Sequence, residues 1–87
     1  MRIEITERAE SLLGELARLV GLANRRARGR SIYALRYDNG VWIHVTRRGY
    51  AFDGYTDIVA RDTRATEENL EAAVAAMRQE IAKEKSA

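Results

Sequence analysis

The side chains best suited to chemistry lie between Asn24 and Arg48, where seven arginines accompany one acid, Asp38, for a net charge of +6. The same segment holds the only tryptophan and the only histidine of the chain. Guanidinium forks recognise phosphates and carboxylates. We therefore predict a binding surface formed by Arg25, Arg26, Arg28, Arg30, Arg36, Trp42, His44, Arg47 and Arg48.

Two interpretations of this basic segment remain open at the level of sequence. Clustered arginines can neutralise the phosphates of a nucleic acid or meet an acidic protein surface, and an exposed tryptophan can stack on unpaired bases. Alternatively, the arginines form a solvated surface whose charge is balanced by the acidic C-terminal half, within the chain or across a dimer; residues 49–87 carry a net charge of −3.

Catalytic and metal chemistry have little support in this sequence. The chain has no cysteine, which excludes disulfides and thiolate metal sites. His44 is expected three positions away from Ser31 along the predicted sheet, too far for a Ser–His–Asp arrangement. The spacing of Asp53, Asp57 and Asp62 does not match a calcium loop. We predict a protein that is not an enzyme and holds no cofactor or metal.

An amphipathic helix is predicted after Thr6, a suitable N-cap, because apolar residues recur at helical spacing from Ala9 to Ala23. Gly14 and Gly21 weaken this helix, and we expect it to end near Gly21. Gly14 and Gly21 are seven residues apart, so they lie on one side of the helix. That side could alternatively form a smooth groove for a partner. Residues 2–5 alternate and predict a short edge strand or a lead-in to the helix.

A β-hairpin is predicted around Asp38-Asn39-Gly40. A three-residue loop pairs Tyr37 with Val41 and places the apolar residues of both strands on one face. The other face then carries Arg36 directly opposite Trp42. A two-residue loop is the alternative, but it mixes polar and apolar residues on both faces.

The remainder of the chain completes an α+β fold. Apolar residues between Tyr50 and Ala60 predict a third strand, or two short ones separated at Gly54. Thr66 caps a second helix with acids in its first turn. We predict a single domain, residues 1–87, with a three- or four-stranded antiparallel sheet between the helices in sequence. Both helices cover one sheet face, so Arg36, Trp42 and His44 lie on the uncovered face.

Length and composition favour one small folded domain. With 87 residues the core is small, and a homodimer would stabilise the fold by burying more surface. No apolar run approaches the roughly 18 residues that span a bilayer, and the first residues lack a secretory signal. We predict a cytoplasmic protein without membrane contact.

Three resemblances bear on function. The element order resembles the double-stranded RNA-binding domain, but that family has a lysine-rich motif where this chain has Thr66-Glu67-Glu68-Asn69, so we reject membership. Residues 31–82 resemble the arm-binding domains of tyrosine recombinases, which implies that the sheet face reads DNA through Arg36, Trp42, His44 and Thr46.

In its general type, as a small compact domain with no predicted cofactor or catalytic residues, the chain is also similar to small phage-encoded inhibitors such as anti-CRISPR proteins. This similarity implies an inhibitor or adaptor whose arginines meet an acidic protein. The sequence therefore predicts, first, a non-catalytic protein that binds nucleic acid or a nucleoprotein complex, with a protein-binding inhibitor or adaptor as the alternative.

Overall fold

The computed structural model describes residues 5–49 and 54–86 and consists of two long helices and a four-stranded antiparallel sheet. The predicted strand at residues 2–5 falls largely outside the described residues, and Tyr50, Phe52 and Asp53 fall wholly outside them. The elements are α1 (Glu7–Ala27), β1 (Ser31–Asp38), β2 (Trp42–Gly49), β3 (Tyr55–Asp57), β4 (Thr63–Arg64) and α2 (Glu67–Ser86).

Helix α1 begins as the sequence predicts and ends later. The Thr6 hydroxyl accepts a hydrogen bond of 3.0 Å from the backbone N–H of Ala9, which confirms the N-cap. The predicted end near Gly21 is wrong, because Ala23 and Ala27 extend the buried stripe by more than a turn. The helix ends at Arg28, which adopts the left-handed conformation with φ 50°.

Gly14 and Gly29 offer a matched test of how backbone conformation sets the effect of replacing glycine by alanine. A Cβ at either position would meet no atom within 4 Å, but Gly29 has φ +83° and Gly14 is helical. We expect Gly14→Ala to raise the free energy of unfolding by about 0.5–1 kcal/mol. Gly29→Ala should lower it by about 1 kcal/mol. Urea denaturation measures both values, and a destabilised Gly14→Ala variant would show that α1 meets something at that surface.

The two helices run parallel to each other. Arg8 on α1 bonds to Glu71 on α2, and Glu15 on α1 accepts a hydrogen bond of 3.0 Å from Arg78 on α2. Both pairs are 63 residues apart in the chain, which is the constant separation expected of parallel helices. Both N-termini therefore lie at one end of the molecule and both C-termini at the other. The acids of the first turns and the arginines of the last turn of α1 match the helix dipoles.

Strand β2 forms the centre of the sheet. It pairs with β1 along one edge and with both β3 and β4 along the other. β3 pairs with residues 46–48 of β2, whereas β4 pairs with residues 42–43. The stretch from Tyr50 to Ala60, predicted as one strand or two short ones, contains only β3 among its described residues. The fourth strand, β4, follows the turn at residues 58–62 and lies beyond that stretch.

The hairpin register differs from the predicted one by two residues. Tyr37 pairs with Ile43 and not with Val41. The reason lies in the turn, because Asn39 as well as Gly40 has positive φ, 55° and 68°. This geometry closes a tight Asn-Gly turn with a hydrogen bond of 3.1 Å from Val41 N–H to the Asp38 carbonyl. Val41 then stays outside the ladder between β1 and β2.

An even shift leaves the side chains of the paired residues of β1 and β2 on their predicted faces. The residues Tyr33, Ile43 and Val45 are buried together with the apolar stripes of both helices in one core. This core confirms the predicted α+β fold with both helices on one sheet face. One detail changes, because Arg36 now lies opposite His44 and not opposite Trp42.

Tyr33 ties the sheet to both helices. Its backbone N–H and C=O bond to the Asn24 side chain of α1 at 2.7 and 2.9 Å, which covers part of the edge of β1. Its hydroxyl donates to Glu84 of α2 at 3.0 Å. Burial and the neighbouring Glu84 carboxylate raise the pKa of Tyr33 well above its ordinary value, so the hydroxyl remains a donor.

Among the described residues, neither helix is long and apolar enough to cross a bilayer.

Candidate functional site

The sheet face opposite the helices carries most of the polar and aromatic side chains of the strands. Even-numbered residues of β1 and β2 point to this side, and Ile32 on it is 58% exposed. We call this surface the open face. It consists of Ile32, Ala34, Arg36, Asp38, Trp42, His44, Thr46, Arg48, Tyr55, Asp57, Arg61 and Arg64.

Two arginine–aromatic stacks lie on the open face. The Arg64 guanidinium carbon is 5.3 Å from the centroid of the Trp42 ring, and that of Arg48 is 5.5 Å from the centroid of the Tyr55 ring. In both stacks the two residues are direct cross-strand partners, so the register of β2 with its short neighbours creates them. Each stack combines a cation with a ring in the range of a cation–π contact.

A hollow of about 460 Å³ lies between the two stacks. It exists because the cross-strand pair at its floor, Ala34 and Thr46, has small side chains, whereas larger residues stand around it. The lining residues are Ala34, Arg36, His44, Thr46, Tyr55, Asp57 and Arg61.

The charges around the hollow are only partly paired. The imidazole Nε2 of His44 lies 2.7 Å from Asp57 Oδ1, and Arg36 Nη2 lies 3.3 Å from Asp38 Oδ2. Arg61 makes no ion pair within the described part of the chain. Four arginines and two aspartates leave the open face with an excess of positive charge, which suits an anionic ligand.

The basic segment of the sequence lies at the C-terminal end of α1. Arg30 bonds to the carbonyls of Ala27 and Arg26 at 3.1 and 3.3 Å, so it caps the helix. The side chains of Arg25, Arg26 and Arg28 are exposed, and no ion pair joins them to other described residues.

This basic segment leads directly to one end of the open face. Ser31 pairs with Gly49 and Ile32 pairs with Arg48. Arg48 therefore lies on the open face at the end of the sheet where α1 stops. Arg48 and the arginines at the end of α1 therefore lie at the same end of the molecule.

Among the predicted site residues on the strands, Arg47 is the one that does not lie on the open face. It lies on the helix-covered face, half-buried, where Nη1 donates to Ser31 Oγ at 3.1 Å and Nε lies 3.9 Å from Glu80 on α2. The predicted register, in which Tyr37 pairs with Val41, also pairs Ser31 with Arg47, and it is wrong by two positions because Arg47 pairs with Tyr33. Arg47 thus connects the sheet to α2 and is not placed beside Trp42.

Four residues of the open face were not predicted as site residues from the sequence: Tyr55, Asp57, Arg61 and Arg64. Arg61 lies in a turn and Arg64 in a strand of only two residues, and so short a strand has no periodicity to reveal it. The one available signal is the alternation of Tyr55 and Asp57, which places both on one face of a strand.

Searches against protein-family models, curated proteins and solved structures find no match for the chain.

Proposed function

We propose that the protein binds single-stranded nucleic acid across the open face. The observation that carries this proposal is the pair of arginine–aromatic stacks on the sheet face that the helices leave uncovered. Aromatic rings stack on unpaired bases of any sequence, and arginines beside them neutralise the phosphates. The Tyr55 side is well placed for such contact because this residue is 68% exposed.

The spacing of the stacks favours a strand over a single base. Trp42 and Arg48 are six residues apart on β2, a separation of roughly 20 Å. A strand that contacts both stacks would pass over the hollow and its two arginines, Arg36 and Arg61. Beyond Arg48 the exposed arginines at the end of α1 lie at the same end of the molecule, where they would attract a backbone that leaves the sheet.

Oligonucleotide titration tests the proposal. We expect a labelled single strand to bind more tightly than a duplex of the same length, measured by fluorescence anisotropy at two salt concentrations. Neutralising about four phosphates with the open-face arginines gives an expected slope of log K against log salt near −3. Arg64→Gln should weaken binding several-fold. Arg18→Gln, which removes an exposed arginine paired with Glu15 on α1, should not. Absence of binding at low salt would refute the proposal.

A protein partner with an acidic surface is the second candidate, as for an inhibitor or adaptor. It is favoured by Ile32, an exposed apolar residue on the open face beside Arg48, since apolar anchors with arginine are typical of protein interfaces. The candidates differ at this position. Ile32→Ser should weaken a protein complex, but it should change oligonucleotide affinity by less than about twofold.

A further inference from the structure

An aspartate in the hollow is unexpected on a surface that binds phosphates. Asp57 places a carboxylate in the same hollow that Arg36 and Arg61 line, where it repels an anionic backbone. Its Oδ1 is held by His44 at 2.7 Å. Its Oδ2 has no hydrogen-bond partner among the described residues, and the side chain is 54% exposed. The carboxylate therefore presents a free acceptor to whatever enters the hollow.

The hollow also contains a second hydrogen-bonding group near this acceptor. Thr46 is the direct cross-strand partner of Asp57, and its hydroxyl can donate or accept. The floor beside it is the methyl group of Ala34, so a group larger than a water molecule can enter. The site thus offers oxygen acceptors at its centre and guanidinium groups at its rim.

This arrangement matches the chemistry of a ribose with its flanking phosphate. A ribose 2′-hydroxyl can donate to Asp57, whereas a deoxyribose cannot, and the 2′-hydroxyl is the group by which proteins distinguish RNA from DNA. The phosphate next to that sugar lies within the field of Arg36 and Arg61. We propose that the hollow is a ribose-reading subsite and that the protein prefers single-stranded RNA; this inference rests on the proposed function.

Matched oligonucleotides test the preference. Oligo(rU) and oligo(dU) of equal length differ only in the 2′-hydroxyl. We expect the wild-type protein to bind oligo(rU) about fivefold more tightly, a ratio that one partly exposed hydrogen bond to a charged acceptor can supply. Asp57→Ala should reduce the ratio to about one by weakening RNA binding, while DNA binding stays equal or improves because a repulsive charge is removed.

Two further variants separate this role from charge and from folding. Asp38→Ala removes an aspartate outside the hollow, so it should strengthen the binding of both oligonucleotides and leave their ratio unchanged. Ala34→Ile fills the hollow at an exposed strand position that tolerates a β-branched residue. It should abolish the RNA preference with an unchanged melting temperature.

The outcomes distinguish the two proposals. If neither oligonucleotide binds, the proposed function fails and the ribose subsite fails with it. If both bind equally well to the wild-type protein, nucleic-acid binding stands and the ribose subsite is refuted. A preference for RNA that survives both Asp57→Ala and Ala34→Ile would also refute it, because the discrimination would then arise elsewhere.

Discussion

Trp42→Ala is expected to weaken the binding of single-stranded oligonucleotides by about tenfold to a hundredfold. Stacking of one base on an aromatic ring contributes about 1–3 kcal/mol, and truncation also removes the ring over which Arg64 is held. Fluorescence anisotropy with a labelled oligonucleotide measures the loss.

The matched control for this prediction is Trp42→Phe. It keeps an aromatic ring at the same position and should retain most of the affinity, within about threefold. Circular dichroism and thermal melting check that both variants are folded. Affinity of Trp42→Ala within twofold of the wild-type value would show that the strand does not cross this end of the open face.

Leu16→Ala is expected to lower the free energy of unfolding by about 3–5 kcal/mol. The Leu16 side chain is fully buried in the core that both helices share with the sheet. Its truncation loses transfer free energy and leaves a cavity. For a chain of this length the total stability is about 4–13 kcal/mol, so the loss is a large fraction of it and should lower the melting temperature markedly.

Leu13→Ala is the control for this core prediction. Leu13 packs against the core but is only partly buried, so its truncation should cost about 1–2 kcal/mol. Urea denaturation gives both values. Equal costs for the two variants would contradict the packing of α1 on the sheet, because they would place the two leucines in similar environments.

The fold follows from the sequence where hydrophobic periodicity is strong. The stripes of both helices and the alternation in β1 and β2 identify the two layers and the face that each strand buries. Errors arose where local backbone geometry decides. The positive φ of Asn39 shifts the hairpin by two residues, and Arg28 ends α1 in a conformation usually left to glycine.

The candidate site was predictable only in part. The open face carries Arg36, Trp42, His44 and Arg48. Side chains alternate along a strand, and in this register the even-numbered residues of β1 and β2 point to the same side. Arg47 is odd-numbered, so its side chain points to the helix-covered face and toward Glu80 of α2. The remaining members come from short strands and a turn whose positions depend on tertiary pairing with β2, which periodicity within a short segment cannot reveal.

The most direct test of the account uses Trp42 itself, the only tryptophan of the chain. Its emission can be followed while an unlabelled single-stranded oligonucleotide is added at low salt. If the strand crosses the open face, a stacked base lies against the indole, and we expect saturable quenching whose midpoint agrees with the dissociation constant from anisotropy. Saturable binding by anisotropy with unchanged Trp42 emission would place the nucleic acid elsewhere on the protein and contradict the account.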